Sequence, residues 1–275
     1  MNSNDKIFVA GGTGKTGRRV VERLQRLGVP FRVGSRNAQP AFNWEDSTTW
    51  PAALEGITKV YVAYSPDIAV PGAPEIVQAF FKRAIEAGVQ KLVLLSGRGE
   101  EEAERAEQML KAFDIDWTIL RCSFFSQNFD EGFFLEPILA GEVALPVRPV
   151  PEPFVDVEDV ADVAVAALTL PGHSRKLYEL TGPRALTFAD AVAKIAKATG
   201  REIRYVSITP QEYRAAMLDA QVPAEIVDLV LYLFDTVLDG RNTPIADGVQ
   251  QALGRPASDF SKYVQRIAAS GVWGN

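Results

Sequence analysis

Two scarce residues narrow the chemistry before any motif is read: the 275-residue chain holds one cysteine, Cys122, and one histidine, His173. A lone cysteine cannot form an intrachain disulfide and makes a cysteine-based metal site a poor expectation, so no metal is predicted and a reducing compartment suits the chain. A lone histidine, set in the turn-like stretch PGHSRK at 171–176, removes His-based triads and His-rich metal sites. Basic excess is lacking too. Lys and Arg number 29 against 35 Asp and Glu, a net charge of -6, so neither nucleic acid nor an anionic membrane is an expected partner. No apolar run approaches the roughly 20 residues that a spanning helix needs; the stretch 226–238 is broken by Asp228 and Asp235. The opening MNSNDKIFVAGG has no charged leader followed by a long apolar stretch, reads directly into a strand, and makes the cytoplasm the default expectation. Internal repeats and low-complexity linkers are also missing.

What remains is an ordinary globular composition, 47% hydrophobic and 23% charged, with short β-branched runs alternating with helical periodicity over the first 180 residues or so. That alternation predicts a parallel sheet covered on both faces. Strands are expected at 7–10, 31–35, 59–64, 91–96, 117–121 and 176–181. Crossover helices are marked by Ile76, Val77, Phe80, Phe81, Ala84 and Ile85, and again by Ala103, Ala106, Leu110 and Phe113. The acidic run Glu100 to Glu102 opens the later helix, where carboxylates complement the helix dipole. Beyond Gly182 and Pro183 helices predominate, with one strand at 203–208. Thr187 starts a helix and Gly200 stops one, while Pro223 and Pro256 mark further starts. The expected division is a dinucleotide-binding 1–182 and a smaller substrate-binding 183–275, with interleaving of strands and helices between the two allowed for.

GGTGKTG at 11–17 follows a predicted strand and opens a predicted helix, the context in which a glycine pattern carries information. Gly11 permits a tight turn, Gly14 lets the backbone approach a pyrophosphate, and Gly17 lets the helix pack closely on the strand. Gly12, Thr13 and Thr16 complete the loop, and the helix N-terminus faces the anion. Lys15 either assists the phosphate or stands in water. A triphosphate loop ending in Gly14, Lys15 and Thr16 would need glycine where Val9 stands, so that reading fails. About 20 residues further on, where an acid would hold a ribose 2′-hydroxyl, the chain reads Gly34, Ser35, Arg36. A hydroxyl and a guanidinium there suit a 2′-phosphate, so NADP(H) is expected in preference to NAD(H). Ala63, Tyr64 and Ser96, at the ends of later strands, are expected to face the cofactor.

These motifs, with KLVLLSG at 91–97, DIDWTILRCSFFSQNF at 114–129 and VDVEDVADVAVAAL at 155–168, resemble the NmrA-like, atypical short-chain dehydrogenase/reductase family over nearly the whole chain. VPFRVGSRN at 29–37 and FNWEDSTTW at 42–50 look most like the festuclavine and agroclavine dehydrogenase branch; quinone and azo reductases are other relatives. The resemblance implies an α/β fold, a Rossmann-type doubly wound parallel sheet with a smaller, mainly helical C-terminal subdomain. It also implies NADP(H) at the strand ends and a substrate cleft between the two parts.

The chain departs from ordinary short-chain dehydrogenases at one informative point. Those enzymes use a Tyr and a Lys four residues apart to protonate an alkoxide, whereas GEEEAERAEQML at 99–110 has neither. Relatives that keep a Lys four residues before the glutamate matching Glu107 correspond here to Ala103. The expected activity is therefore hydride transfer from NADPH to an already activated small molecule, an iminium ion, quinone, azo compound or enone, with water able to supply a proton. The alternative is a non-catalytic NADP(H)-sensing regulator with a protein partner. The aromatics Phe124, Phe125, Phe129, Phe133 and Phe134 read either as a flat substrate pocket or as core beneath a loop; Gln127 and Asn128 either orient a substrate or cap a helix. Tyr64, Ser96, Phe125, Asn128 and Phe129 are the candidates for substrate contact. Cys122 reads as a small buried residue, His173 as part of a surface turn, and Asp156 and Asp159 as organisers of a turn and a helix start.

Overall fold

The computed structural model describes residues 5–274; the first four residues of the expected 1–182 division, and Asn275, lie outside the described residues. Its strands are β1 (Ile7–Ala10), β2 (Phe31–Gly34), β3 (Lys59–Val62), β4 (Lys91–Gly97), β5 (Asp116–Cys122), β6 (Glu142–Leu145), β7 (Lys176–Leu180) and β8 (Arg204–Ser207). β2-β1-β3-β4-β5-β7 form one parallel sheet in that order, with Val9 opposite Val33 on one side and Tyr61 on the other. Apolar runs such as IFVA in β1 are buried at every position, as a sheet covered on both faces requires. The winding reverses between β1 and β3. That reversal makes a switch point at the carboxyl ends of the strands, where open α/β sheets bind ligands.

On one face α2 (Trp50–Leu54), α3 (Ala73–Glu86) and α4 (Glu101–Lys111) bury Val77, Phe80, Phe81, Ala103, Ala106 and Leu110 against Phe8, Val62, Leu92 and Leu94. Phe80 is central: its ring meets Phe42 at 5.5 Å and Trp44 at 5.0 Å. On the other face α1 (Lys15–Arg26) lies along α6 (Val157–Thr169), and ion pairs fix their register: Arg19–Glu158 at 2.6 Å and Arg23–Asp162 at 2.6 Å. Asp159 lies in the first turn of α6, as expected of a helix start, and also holds Arg255 at 2.7 Å, bracing α6 against a distant segment.

The compact units do not follow a single cut at residue 182. One unit runs to Cys122 and takes in Val157–Leu180 and Gly248–Pro256, the last of these carrying α10 (Gly248–Leu253). The other combines Ser123–Asp156, Thr181–Asp247 and the chain from Ala257. Its parallel pair β6–β8 joins Val143 to Tyr205, a non-local pairing that the periodicity of neither segment reveals. α5 (Leu135–Ala140), α7 (Phe188–Thr199), α8 (Pro210–Asp219), α9 (Ala224–Tyr232) and α11 (Phe260–Ser270) complete it. Its core is aromatic, with Phe154 and Phe188 centroids 5.1 Å apart and Phe129 and Phe260 5.5 Å apart.

Local signals for helix ends hold where side chains cap. Thr187 and Asp190 form a reciprocal capping box, and Gly200 closes α7 in the left-handed region. Pro256 does not start α11; Asp259 does, accepting from the Ser261 amide. His173 is buried, not in an open turn, because its Nδ1 lies 2.9 Å from the Tyr178 hydroxyl. Among the described residues no helix is long and apolar enough to cross a membrane.

Candidate dinucleotide and acceptor site

The glycine loop begins where β1 ends. Gly11 turns with φ +74°, and a Cβ there would lie 2.6 Å from the Ala63 carbonyl oxygen, so only glycine lets the loop pass the end of β3. Gly17 is equally constrained: a Cβ would fall 2.2 Å from the Gly11 carbonyl oxygen, which is how α1 enters so close to the loop. The Gly12 amide donates to the Gly34 carbonyl at 3.2 Å, tying the loop to the end of β2. Gly14 is the N-cap of α1, offers no side chain, and is followed by no acid in the first turn. The first amides of α1 therefore face outward with a positive helix end behind them, which fits a pyrophosphate. Thr13 and Gly14 are exposed, Lys15 is half-buried, and Thr16 is buried under the loop.

Beyond β2 the Ser35 carbonyl accepts from the Phe42 amide at 2.9 Å, so the chain turns back there and leaves Arg36 exposed. Arg36 makes no ion pair among the described residues. Ala63, at the end of β3, donates its amide to the Ala10 carbonyl at 3.3 Å. Tyr64 packs its ring on Trp44 at 5.1 Å, and burial together with the Glu45 charge pushes its phenol above the ordinary value.

Ser96 is buried. Its Oγ donates to Glu107 Oε1 at 2.7 Å, and the Arg121 Nε donates to the same oxygen at 2.8 Å. Glu107 is completely buried. Arg121 continues to Glu179 at 3.3 Å, where Arg98 also ends at 3.1 Å. The serine proton is thus engaged in a network that joins β4, α4, β5 and β7. Helix α4 extends to Lys111, one residue beyond the stretch without lysine; that ammonium sits at the far end of the helix, 3.8 Å from Glu107 and over the Trp117 ring.

Two acids escape a reading of the sequence alone. Asp67, in the loop after β3, accepts from the Ala69 amide at 2.9 Å; burial lifts its carboxyl above the ordinary range against the pull of that amide and of Lys15. Glu100 is the N-cap of α4 yet makes no capping hydrogen bond; burial first, and then the Asp67 charge, raise its carboxyl well above the usual value. In the sequence Glu100 looks like its neighbours Glu101 and Glu102, and nothing local separates it from them.

The acceptor candidates in the second unit divide. Phe129 is fully buried and Phe134 nearly so, both within the aromatic core, which decides those two against a pocket. Phe133 is exposed, while Phe125 and Asn128 are half-buried around the short turn Ser126–Phe129. The Asn128 amide donates to the Phe125 carbonyl at 3.1 Å. Gln127 is buried, its Nε2 donating to Asp156 at 2.7 Å. Cys122 is buried in the first unit, and that burial raises its thiol far beyond the reactive range.

A family model described as NAD(P)H-binding matches residues 11–171. The NAD(P)H azoreductase of Xenophilus azovorans is 31% identical over 96% of this chain and 98% of its own length. An agroclavine dehydrogenase of Claviceps fusiformis is 30% identical over 94% and 96%. Among solved structures, the NADPH-dependent quinone oxidoreductase QOR2 of Escherichia coli, complexed with NADPH, superposes with a TM-score of 0.80. It covers 95% of this chain and 99% of its own at 20% identity, a likeness of fold.

Proposed function

The chain belongs to the NAD(P)H-binding, NmrA-like atypical branch of the short-chain dehydrogenases/reductases and is an oxidoreductase, and from that premise we propose that it is an NADPH-dependent reductase of activated small molecules. Iminium ions, quinones, azo compounds and enones are the acceptor classes. Bound along the strand ends, the cofactor supplies a hydride. The residues that would hold it are those of the loop Gly11 to Gly17 at the pyrophosphate, Ser35 and Arg36 at the 2′-phosphate, and Ala63 and Tyr64 beyond β3.

The observation that carries the choice of acceptor is the state of α4. Ala103 is buried, Glu107 is held by Ser96 and Arg121, and the one lysine of the helix, Lys111, reaches its far end. No Tyr–Lys pair stands there to protonate an alkoxide, so a simple ketone would receive hydride without the usual help. An acceptor that is already electrophilic needs mainly to be positioned. The test is NADPH oxidation measured with a quinone, an azo dye, a cyclic iminium ion, an enone and an unactivated ketone. Turnover of the first four classes but not the ketone is expected; a ketone reduced as fast as the quinone would overturn the reading.

A further inference from the structure

We propose that Glu100, backed by Asp67, holds the proton that completes reduction of acceptors left anionic by hydride arrival. The proposal rests on the reductase reading above and adds a proton donor to the chain's other candidates, Tyr64, whose phenol is raised by burial, and Ser96, whose hydroxyl already donates to Glu107.

From the last residue of β4 the chain reads Gly97, Arg98, Gly99, Glu100, and Gly99 turns it back with φ +74°. The carboxylate of Glu100 is thereby folded over the strand end. A Cβ built on Gly97 would fall 1.9 Å from Glu100 Oε2 and 2.3 Å from Oε1, so the glycine is the shelf on which the carboxylate lies. Gly97 is in register with Cys122 of β5, which fixes the place as the carboxyl edge of β4 and β5.

That edge is where the reacting half of a dinucleotide must run. With the loop of α1 holding the pyrophosphate and Arg36 the 2′-phosphate, as proposed above, the other half would extend the opposite way across β3 and β4. With strands about 4.8 Å apart, β4 lies roughly 10 Å from β1, a span suited to a nucleoside.

The groups facing Glu100 favour the protonated form. Asp67 comes from the loop after β3 and the neutral Cys122 thiol from β5, while the Lys15 charge, from α1, acts on Asp67. Arg98, the nearest cation in sequence, is turned to Glu179 at 3.1 Å. Glu100 itself makes no hydrogen bond or ion pair through its carboxyl among the described residues. Burial and the Asp67 charge raise it, so it keeps a proton at pH values where an ordinary glutamate has lost it.

The step balances. A quinone or azo compound takes up one hydride, two electrons and one hydrogen, and its oxygen or nitrogen becomes anionic. The Glu100 O–H bond breaks as a new O–H or N–H bond forms on that atom; the carboxylate left behind regains a proton from solvent. A cationic iminium becomes a neutral amine on hydride transfer alone and needs no such proton.

The experiment compares single-turnover reduction of a 1,4-benzoquinone and a cyclic iminium ion by the NADPH complex, in the unmodified chain and in Glu100→Gln. General acid assistance is worth about a hundredfold at the low end, so the ratio of quinone to iminium rates should fall by about that factor. In the unmodified chain the quinone rate should fall as pH rises through the Glu100 ionisation. Asp67→Asn, which removes the charge that raises Glu100, should move that fall to lower pH. Infrared difference spectra of unmodified chain against Glu100→Gln, recorded without turnover, should show a protonated carboxyl at neutral pH that the variant lacks. An equal loss on both acceptors, or no carboxyl band in the difference, overturns the proposal. If the unmodified chain reduces neither acceptor, the reductase reading fails, and the infrared band still decides whether Glu100 holds its proton.

Discussion

We propose that cofactor choice turns on Arg36, which is exposed, makes no ion pair among the described residues, and stands where an acid would select NAD. A charge-assisted hydrogen bond contributes roughly 1.5 to 3 kcal/mol, and about 1.4 kcal/mol is a factor of ten. Arg36→Ala should therefore weaken NADPH binding by about ten- to a hundredfold and leave NADH nearly as before, as measured by calorimetry. Equal affinity of the unmodified chain for both cofactors would refute the assignment. Arg121 has a different role. Its guanidinium neutralises the completely buried Glu107, with Nε 2.8 Å from Oε1. Removing one partner of a buried pair leaves an uncompensated charge and costs about 3 to 5 kcal/mol. Arg121→Met should thus lower stability by that amount in denaturant titrations, and Glu107→Gln in the same background should restore part of the loss.

At the scale of elements, the glycine loop separates binding from folding. A Cβ at Gly14 would meet only the Gly11 carbonyl oxygen, at 3.3 Å. Gly14→Val should accordingly keep the native circular dichroism while calorimetry shows no cofactor binding; binding by the folded variant would reject the loop assignment. Helix α11 supplies a second case. Asp259 caps it through the Ser261 amide and takes a forked pair of hydrogen bonds from Arg184, one of them at 2.7 Å. The Arg184 hydrogen bond, more than any other influence, holds its carboxyl at about 2 against an ordinary 3.8. A depressed folded value means that this contribution is complete above the ordinary value and is lost as pH falls through about 2. Asp259→Ala should cost about 1 kcal/mol near neutral pH, with the difference from the unmodified chain vanishing in strong acid.

The whole molecule is assembled from two units that exchange chain. The first unit recruits Gly248–Pro256 from far along the sequence, including Arg255 on Asp159 and Asp162. The second recruits Ser123–Asp156, whose Phe129, Phe134 and Phe154 are buried among Phe188, Phe234 and Phe260. A fragment of residues 1–182 would carry those phenylalanines without their partners and α6 without Arg255. Buried aromatic side chains of this kind contribute about 3 kcal/mol or more each, so the fragment should lack the near-ultraviolet signal and the cooperative melting of the full chain. A cooperatively folded 1–182 fragment would contradict the interleaved division.

What the sequence determined by itself is whatever depends on neighbours along the chain. The loop from Gly11 to Gly17 follows its strand and opens its helix, the runs expected as strands at 7–10 and 91–96 are strands, and Thr187 with Asp190 caps α7, because turn geometry, apolar patterning and capping all act within a few residues. The sheet strands fell within a residue or two of their expected ends for the same reason. Only the tertiary structure decided where side chains meet across the chain. Ser96 is bound to Glu107, His173 to Tyr178, and Phe129 belongs to the core. Glu100, indistinguishable from the acids beside it in sequence, lies over Gly97 and faces Asp67, thirty-three positions earlier, with its carboxyl raised. Burial and a neighbouring like charge set this proton affinity, and both are properties of what surrounds a group in space, which local sequence does not specify.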